Sequence, residues 1–171
     1  DQTRVALVVL LGVAQAGVVV AGAFGSLGTR VGDVAQAHPT PLLPAWWASL
    51  IWIPIGLGFL AYAGSQCSPR QRHRHLHRRT GWWLAAAALC TLLWTLSWTT
   101  GRLLLAELLL VGVLVSTAVV FGRLSREPAT STAERAAFRV PVSVYAGWAS
   151  TAMVVGTATT GAWIGLPGAT A

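Results

Sequence analysis

The chain has 171 residues and no lysine, and only 10% of its residues are charged. Soluble domains carry charge on about a quarter of their residues, so this chain has too little to coat a water-facing surface. Cysteine is nearly absent. Cys67 and Cys90 fit neither a metal-binding spacing nor a disulfide framework, and Cys90, set in an apolar run, reads as a small hydrophobe. Acidic residues number five, and Glu107 is the one that interrupts an apolar run. No serine stands in an evident relation to a histidine and an acid, and no glycine-rich phosphate loop follows a strand. Paired intramembrane carboxylates for acid–base work are also missing. The sequence leaves enzymatic activity open and favours a role without it, and it offers no metal site.

What is present is apolar and aromatic. Hydrophobic residues make up 54% of the chain, with nine tryptophans, and twelve arginines give a net charge of +7. A basic balance can signal nucleic acid. Here the arginines lie between long apolar runs, so they set membrane topology and no nucleic-acid partner is expected. A transmembrane helix needs about 20 mostly apolar residues. Five stretches meet that length: 5–26, 45–64, 81–99, 103–122 and 140–164. The expected fold is all-α, an integral membrane bundle of five transmembrane helices forming one domain over 1–171. The first run, with Arg4 before it and Ala14-Gln15-Ala16 inside it, also fits a signal peptide. It is longer than a signal core, and a retained span is the preferred reading.

Arginine-rich loops stay cytoplasmic. The loop after the second run holds Arg70, Arg72, Arg74, Arg78 and Arg79, and that after the fourth holds Arg123, Arg126, Arg135 and Arg139. The other two loops hold only Arg30 and Arg102. This parity puts the N-terminus in the cytoplasm and the C-terminus outside, in a membrane of bacterial type. The turn around Gly101 makes the third and fourth runs antiparallel neighbours. The first loop carries Pro39, Pro41 and Pro44 and is either a lid or a plain connector.

The segment PAWWASLIWIP, from Pro44 to Pro54, concentrates Trp46, Trp47 and Trp52. Trp46, Trp47, Trp82, Trp83 and Trp163 suit an interfacial aromatic belt. Trp52, Trp94 and Trp148 fall deeper. Trp94 and Trp98 share a helix face, and Pro54 is expected to kink the second helix so that Trp52 faces a pocket. These motifs resemble the tryptophan-rich sensory protein family, the TspO/translocator protein (peripheral benzodiazepine receptor) group, in a divergent bacterial branch. LPAWWASLIW resembles the family's opening of helix two, with Trp47 and Trp52 on its tryptophans. TLLWTLSW resembles the third-helix N-x-x-W segment, and RLLLAELLL the fourth-helix segment with its acidic residue. VPVSVYAGWASTA resembles the fifth-helix P-F-S-x-Y-x-G-W, matched at Pro141, Ser143, Tyr145, Gly147 and Trp148. Asparagines common in the family are replaced by Thr91 and Gly156.

The resemblance implies a binding or sensory protein for a flat hydrophobic ligand, a porphyrin or haem above all, and commonly a homodimer. It carries pocket roles to Trp47, Trp52, Trp94, Trp98, Tyr145 and Trp148. Two alternatives are an accessory subunit of a larger membrane complex and, more weakly, a transporter of the same ligand; no inverted repeat supports the latter. Glu107 lies about 8 Å deeper than Arg102. It is expected either to pair with an arginine or a hydroxyl or to meet Trp94 or Thr91 in a pocket floor. His73, His75 and His77 would share a face only in an extended strand; the simpler reading is a basic loop touching anionic lipid. Gly17, Ala21 and Gly25 have the spacing of a close helix contact, within the chain or between copies.

Overall fold

Backbone groups that cannot reach water must be satisfied inside their own segment, and this chain does so with helices. The computed structural model describes residues 2–66, 75–129 and 131–166, and no strand occurs among them. Helix α1 spans Gln2–Phe24, and a short α2 spans Val31–Ala37 in the first loop. A 3₁₀ segment, Trp46–Ile51, runs into α3, Trp52–Gln66. Then come α4, His75–Thr99, and α5, Leu103–Ser125. A single turn, Thr132–Glu134, and a π-helical turn, Arg135–Arg139, lead into α6, Val140–Trp163.

The long helices close into a ring. α1 packs on α3 and α4, α4 on α5, α5 on α6, and α6 on α3. By length and composition, three stretches can cross a membrane: Thr3–Phe24, Arg79–Thr99 and Leu103–Ser125. The apolar part of the second run, Trp47–Tyr62, is shorter, and the serines, threonines and glycines of α6 dilute its hydropathy. The ring is apolar outside: Leu10, Val20, Leu57, Leu60, Leu104, Leu108 and Val154 are exposed. Thr95, Thr117 and Thr159 are buried within it, each hydroxyl donating to the carbonyl four residues earlier. Exposed apolar surface of this extent marks a lipid or protein contact.

The second run departs from the expected single kinked helix. Its winding changes from 3₁₀ to α at Trp52, so Pro54 falls in the first turn of α3, a position that tolerates proline better than a helix interior. Pro141 is accommodated differently. A proline at that point would clash with the carbonyl four residues earlier, and the wider π turn lies directly before it. His75 and His77 begin α4, where residues two apart do not share a face; His73 and Cys67 lie outside the described residues.

Close approach decides which helices touch. A Cβ on Gly58 would fall 2.1 Å from Pro141 Cβ, so glycine is what lets α3 meet α6. On α1 the tight positions are Gly12, against Phe59, and Gly22, against Thr95. Gly17 has open space around it, and Gly25 sits beyond the end of α1 with φ 78°. The α4–α5 turn ends with Gly101 at φ 74°. There the Arg102 N–H donates to the Ser97 carbonyl at 2.8 Å and that of Gly101 to Trp98 at 3.1 Å, a glycine-dependent helix stop.

The α3–α6 contact is open to test. Gly58→Ala should lower the thermal unfolding midpoint of the purified protein in detergent, with a cost of about 1–3 kcal/mol from overpacking. Gly17→Ala should leave it unchanged. Equal midpoints for wild type and Gly58→Ala would mean that α3 does not pack on Pro141.

Candidate functional site

Five of the six tryptophan and tyrosine positions singled out by the sequence meet in one cluster at the end of the bundle opposite the arginine-rich loops. Trp94, Trp98 and Tyr145 are buried in it, 8%, 3% and 1% exposed, and Trp52 and Trp148 pack against it. Trp52 meets Tyr145 edge-on at 6.3 Å and Trp148 at 6.1 Å between ring centroids. Trp94 and Trp98 lie 5.8 Å apart, tilted by 32°. Contacts of this kind add about 0.5–1.5 kcal/mol each beyond the area they bury. Trp47 is not part of the cluster; it is 61% exposed on the 3₁₀ segment.

The first loop packs over this end. Val34 and Ala35 of α2 belong to the cluster, with Val31 and Leu43 against it. Trp98 Nε1 donates to the Val31 carbonyl at 3.1 Å, and the Thr29 N–H donates to the Thr99 carbonyl at 3.1 Å. Gly28, at φ 134°, lies against that strap contact; a Cβ there would be 2.8 Å from the Thr99 oxygen.

Below the tryptophans sits a polar knot. The Tyr145 hydroxyl and Thr91 Oγ1 are 2.6 Å apart, and the tyrosine also reaches the Ala87 carbonyl at 3.3 Å. Gln15 of α1 approaches the same hydroxyl from a third helix, and its Oε1 is buried without a donor. Thr91, at an asparagine position of the resemblance, therefore holds a tyrosine. Phe59 packs edge-on to Tyr145 at 5.7 Å.

Glu107 stands on the α5–α6 seam. Its Oε1 is 2.5 Å from the hydroxyl of Thr157, which also reaches the Met153 carbonyl at 2.8 Å. Oε2 is buried without a donor. It occupies the space that a side chain on Gly156 would need, since a Cβ there would fall 2.6 Å from it and 3.2 Å from Leu110 Cδ2. Trp94 Nε1 is a buried donor without an acceptor.

A crevice lies elsewhere, toward the arginine-rich end. Gly58, Phe59, Tyr62, Leu84, Phe138 and Pro141 line it with Ile55, Val142 and Tyr145. Of the predicted ligand residues it touches only Tyr145. At about 20 Å³ it has room for one water-sized group. At the arginine-rich end, Arg139 pairs with Glu134 at 3.1 Å and donates to the Leu124 and Glu127 carbonyls. Arg123 lies over Trp83 at 5.8 Å and donates to the Arg79 carbonyl.

Sequence reasoning missed Phe59, Thr157, Gln15 and the packing of α2. Phe59 follows Trp52 by two helical turns, a visible signal. Gln15 is a polar residue inside an apolar run, which is itself a flag. Thr157 carries no signal apart from its partner.

Trp98→Phe should release α2. Amide exchange over 31–37, read by mass spectrometry in detergent, should quicken by about fivefold to tenfold for the lost hydrogen bond. Trp82→Phe, at the other end, should not change it. Unaltered exchange in Trp98→Phe would show that the indole does not hold the loop.

Searches of curated proteins and of solved structures return no match. The profile of the TSPO-like protein family matches residues 4–170, which takes in the whole helix ring, the strap and the tryptophan cluster. With its outward apolar faces and its spans of membrane-crossing length, the chain is an integral membrane protein that belongs to the TSPO-like protein family.

Proposed function

We propose that this protein binds, and senses, a flat hydrophobic ligand of the tetrapyrrole class at the tryptophan-rich end of its helix ring. The observation that carries the reading is the convergence of Trp52, Tyr145 and Trp148 from α3 and α6 with Trp94 and Trp98 from α4, beneath a strap formed by α2. Indole faces and edges give a planar molecule area to stack on, and burial against them supplies most of the affinity. The strap is held at its edge by two hydrogen bonds, from Trp98 Nε1 and from the Thr29 N–H. That makes it the element to lift when ligand enters. Trp47 acts as an interfacial anchor.

In this reading the chain crosses the membrane five times. The 3₁₀ segment extends α3 to the needed length, and α6 crosses despite its polar residues because their hydroxyls bond to their own helix, as Ser150 does to Ala146 and Thr151 to Gly147. The arginine-rich end faces the cytoplasm, which puts the tryptophan cluster toward the outer face.

Titration of the purified protein with protoporphyrin IX and with haem tests this. Tryptophan fluorescence should be quenched saturably, one ligand per chain, in the micromolar range. Trp52→Ala and Trp148→Ala should each weaken binding by tenfold or more, about 1.4 kcal/mol. Non-saturable quenching shared by both variants would mean that the ligand partitions into detergent, and the reading would fail.

A further inference from the structure

The α5–α6 seam carries a carboxyl group that packing alone does not explain. Glu107 places one oxygen against Thr157 and the other, Oε2, in the space over Gly156 that Leu110, a core residue of the tryptophan cluster, also approaches. Oε2 is buried and has no donor. A buried acceptor left without a donor costs about 1–3 kcal/mol, more for a charged group. The outward hydroxyls of α6 nearby, Ser150, Thr151 and Thr157, each bond to their own helix, whereas Thr160 Oγ1, buried on the same helix, is also without a partner. The recess that admits Oε2 exists because residue 156 has no side chain, and even a methyl group there would collide with it. Glu107 as a residue is half-buried on the seam, while Oε2 itself is covered, so a ligand group reaches it by parting the α5–α6 seam.

We propose that Glu107 Oε2 is the hydrogen-bond acceptor of the ligand site, and that the site selects flat apolar molecules carrying an N–H donor. This rests on the ligand-site reading above and adds a chemical preference to it. A planar ligand against Trp94 and Leu110 would lay one edge along α5, and an N–H on that edge would supply the donor that Oε2 lacks. Charge-assisted hydrogen bonds of this kind are about twice as strong as neutral ones, and their absence penalises a ligand that offers no donor. Among the described residues the other amide or carboxyl oxygen left without a donor is Oε1 of Gln15, which is 3% exposed in the interior of α1, whereas Glu107 is half-buried at a helix seam.

Carbazole and dibenzofuran make the test direct. They share shape and apolar area and differ in an N–H against an oxygen. Equilibrium dialysis against the purified full-length protein in detergent should give carbazole a Kd lower by about tenfold, the size of one hydrogen bond to a charged group. In Glu107→Leu the two should bind equally, at the wild-type affinity for dibenzofuran. Gly156→Ala, which drives the carboxyl group from its recess, should do the same and decides the matter if Glu107→Leu does not fold. Gln15→Leu should keep the preference. Equal binding by wild type, or a preference that survives in either Glu107→Leu or Gly156→Ala, overturns the proposal and leaves the flat-ligand reading standing. If neither compound binds saturably to wild type, this proposal falls, while the tetrapyrrole reading stands or falls on its own titration.

Discussion

The hydroxyl of Tyr145 ties α6 to α4 across the inside of the ring. These two helices are not neighbours around it; α5 stands between them on one side, and α3 and α1 on the other. The bond to Thr91 at 2.6 Å and the reach to the Ala87 carbonyl therefore act as a strut. In hydrocarbon there is no hydrophobic drive between helices, and association depends on close packing and on hydrogen bonds between them. The strut fixes the position of the Tyr145 ring, and that ring sets Trp52 and Phe59 edge-on around it. The tryptophan layer above is thus built on one polar contact in an apolar interior.

The two ends of the bundle are held by different means. The tryptophan end uses aromatic packing under a strap with few hydrogen bonds. The other end uses guanidinium groups. Arg139 takes the exposed carbonyls of Leu124 and Glu127 and the carboxylate of Glu134, and Arg123 joins α5 to the start of α4. An arginine fork can satisfy several orphaned helix-end carbonyls at once. The arginines that set topology also close the helix ends.

Much of this was legible in the sequence, and the part that was not has a physical cause. Apolar runs located α1, α4, α5 and α6 to within a few residues, except that α4 extends back to His75. Hydropathy carries no information about winding, so the 3₁₀ segment before Trp52 and the π turn before Pro141 could not be read from it. The spacing of small residues in α1 pointed to Gly17, Ala21 and Gly25, whereas the glycines of α1 that meet another helix of the same chain are Gly12 and Gly22. A glycine's role depends on which neighbour approaches it, and that is a property of the partner helix. The tryptophans were readable as a group because they repeat on helical faces. The recess at Gly156 was visible only as a missing asparagine, and the longer acid that fills it required the three-dimensional pairing of α5 with α6.

The π turn at Arg135–Arg139 has a consequence for comparing this chain with its relatives. A π turn holds one residue more than the α-helical turn it replaces, and each residue of an α-helix turns the face by about 100°. Phe138 keeps the buried face it shares with Val142, and before it Glu134 is buried while Arg135 is exposed, one position off the heptad-like spacing that runs through Phe138, Val142, Tyr145 and Ala149. An ungapped alignment of the fifth helix that begins in the preceding loop would assign core residues to the lipid face in any relative lacking the turn. The reference point for superposing fifth helices is Pro141, from which the phase of everything after it is counted.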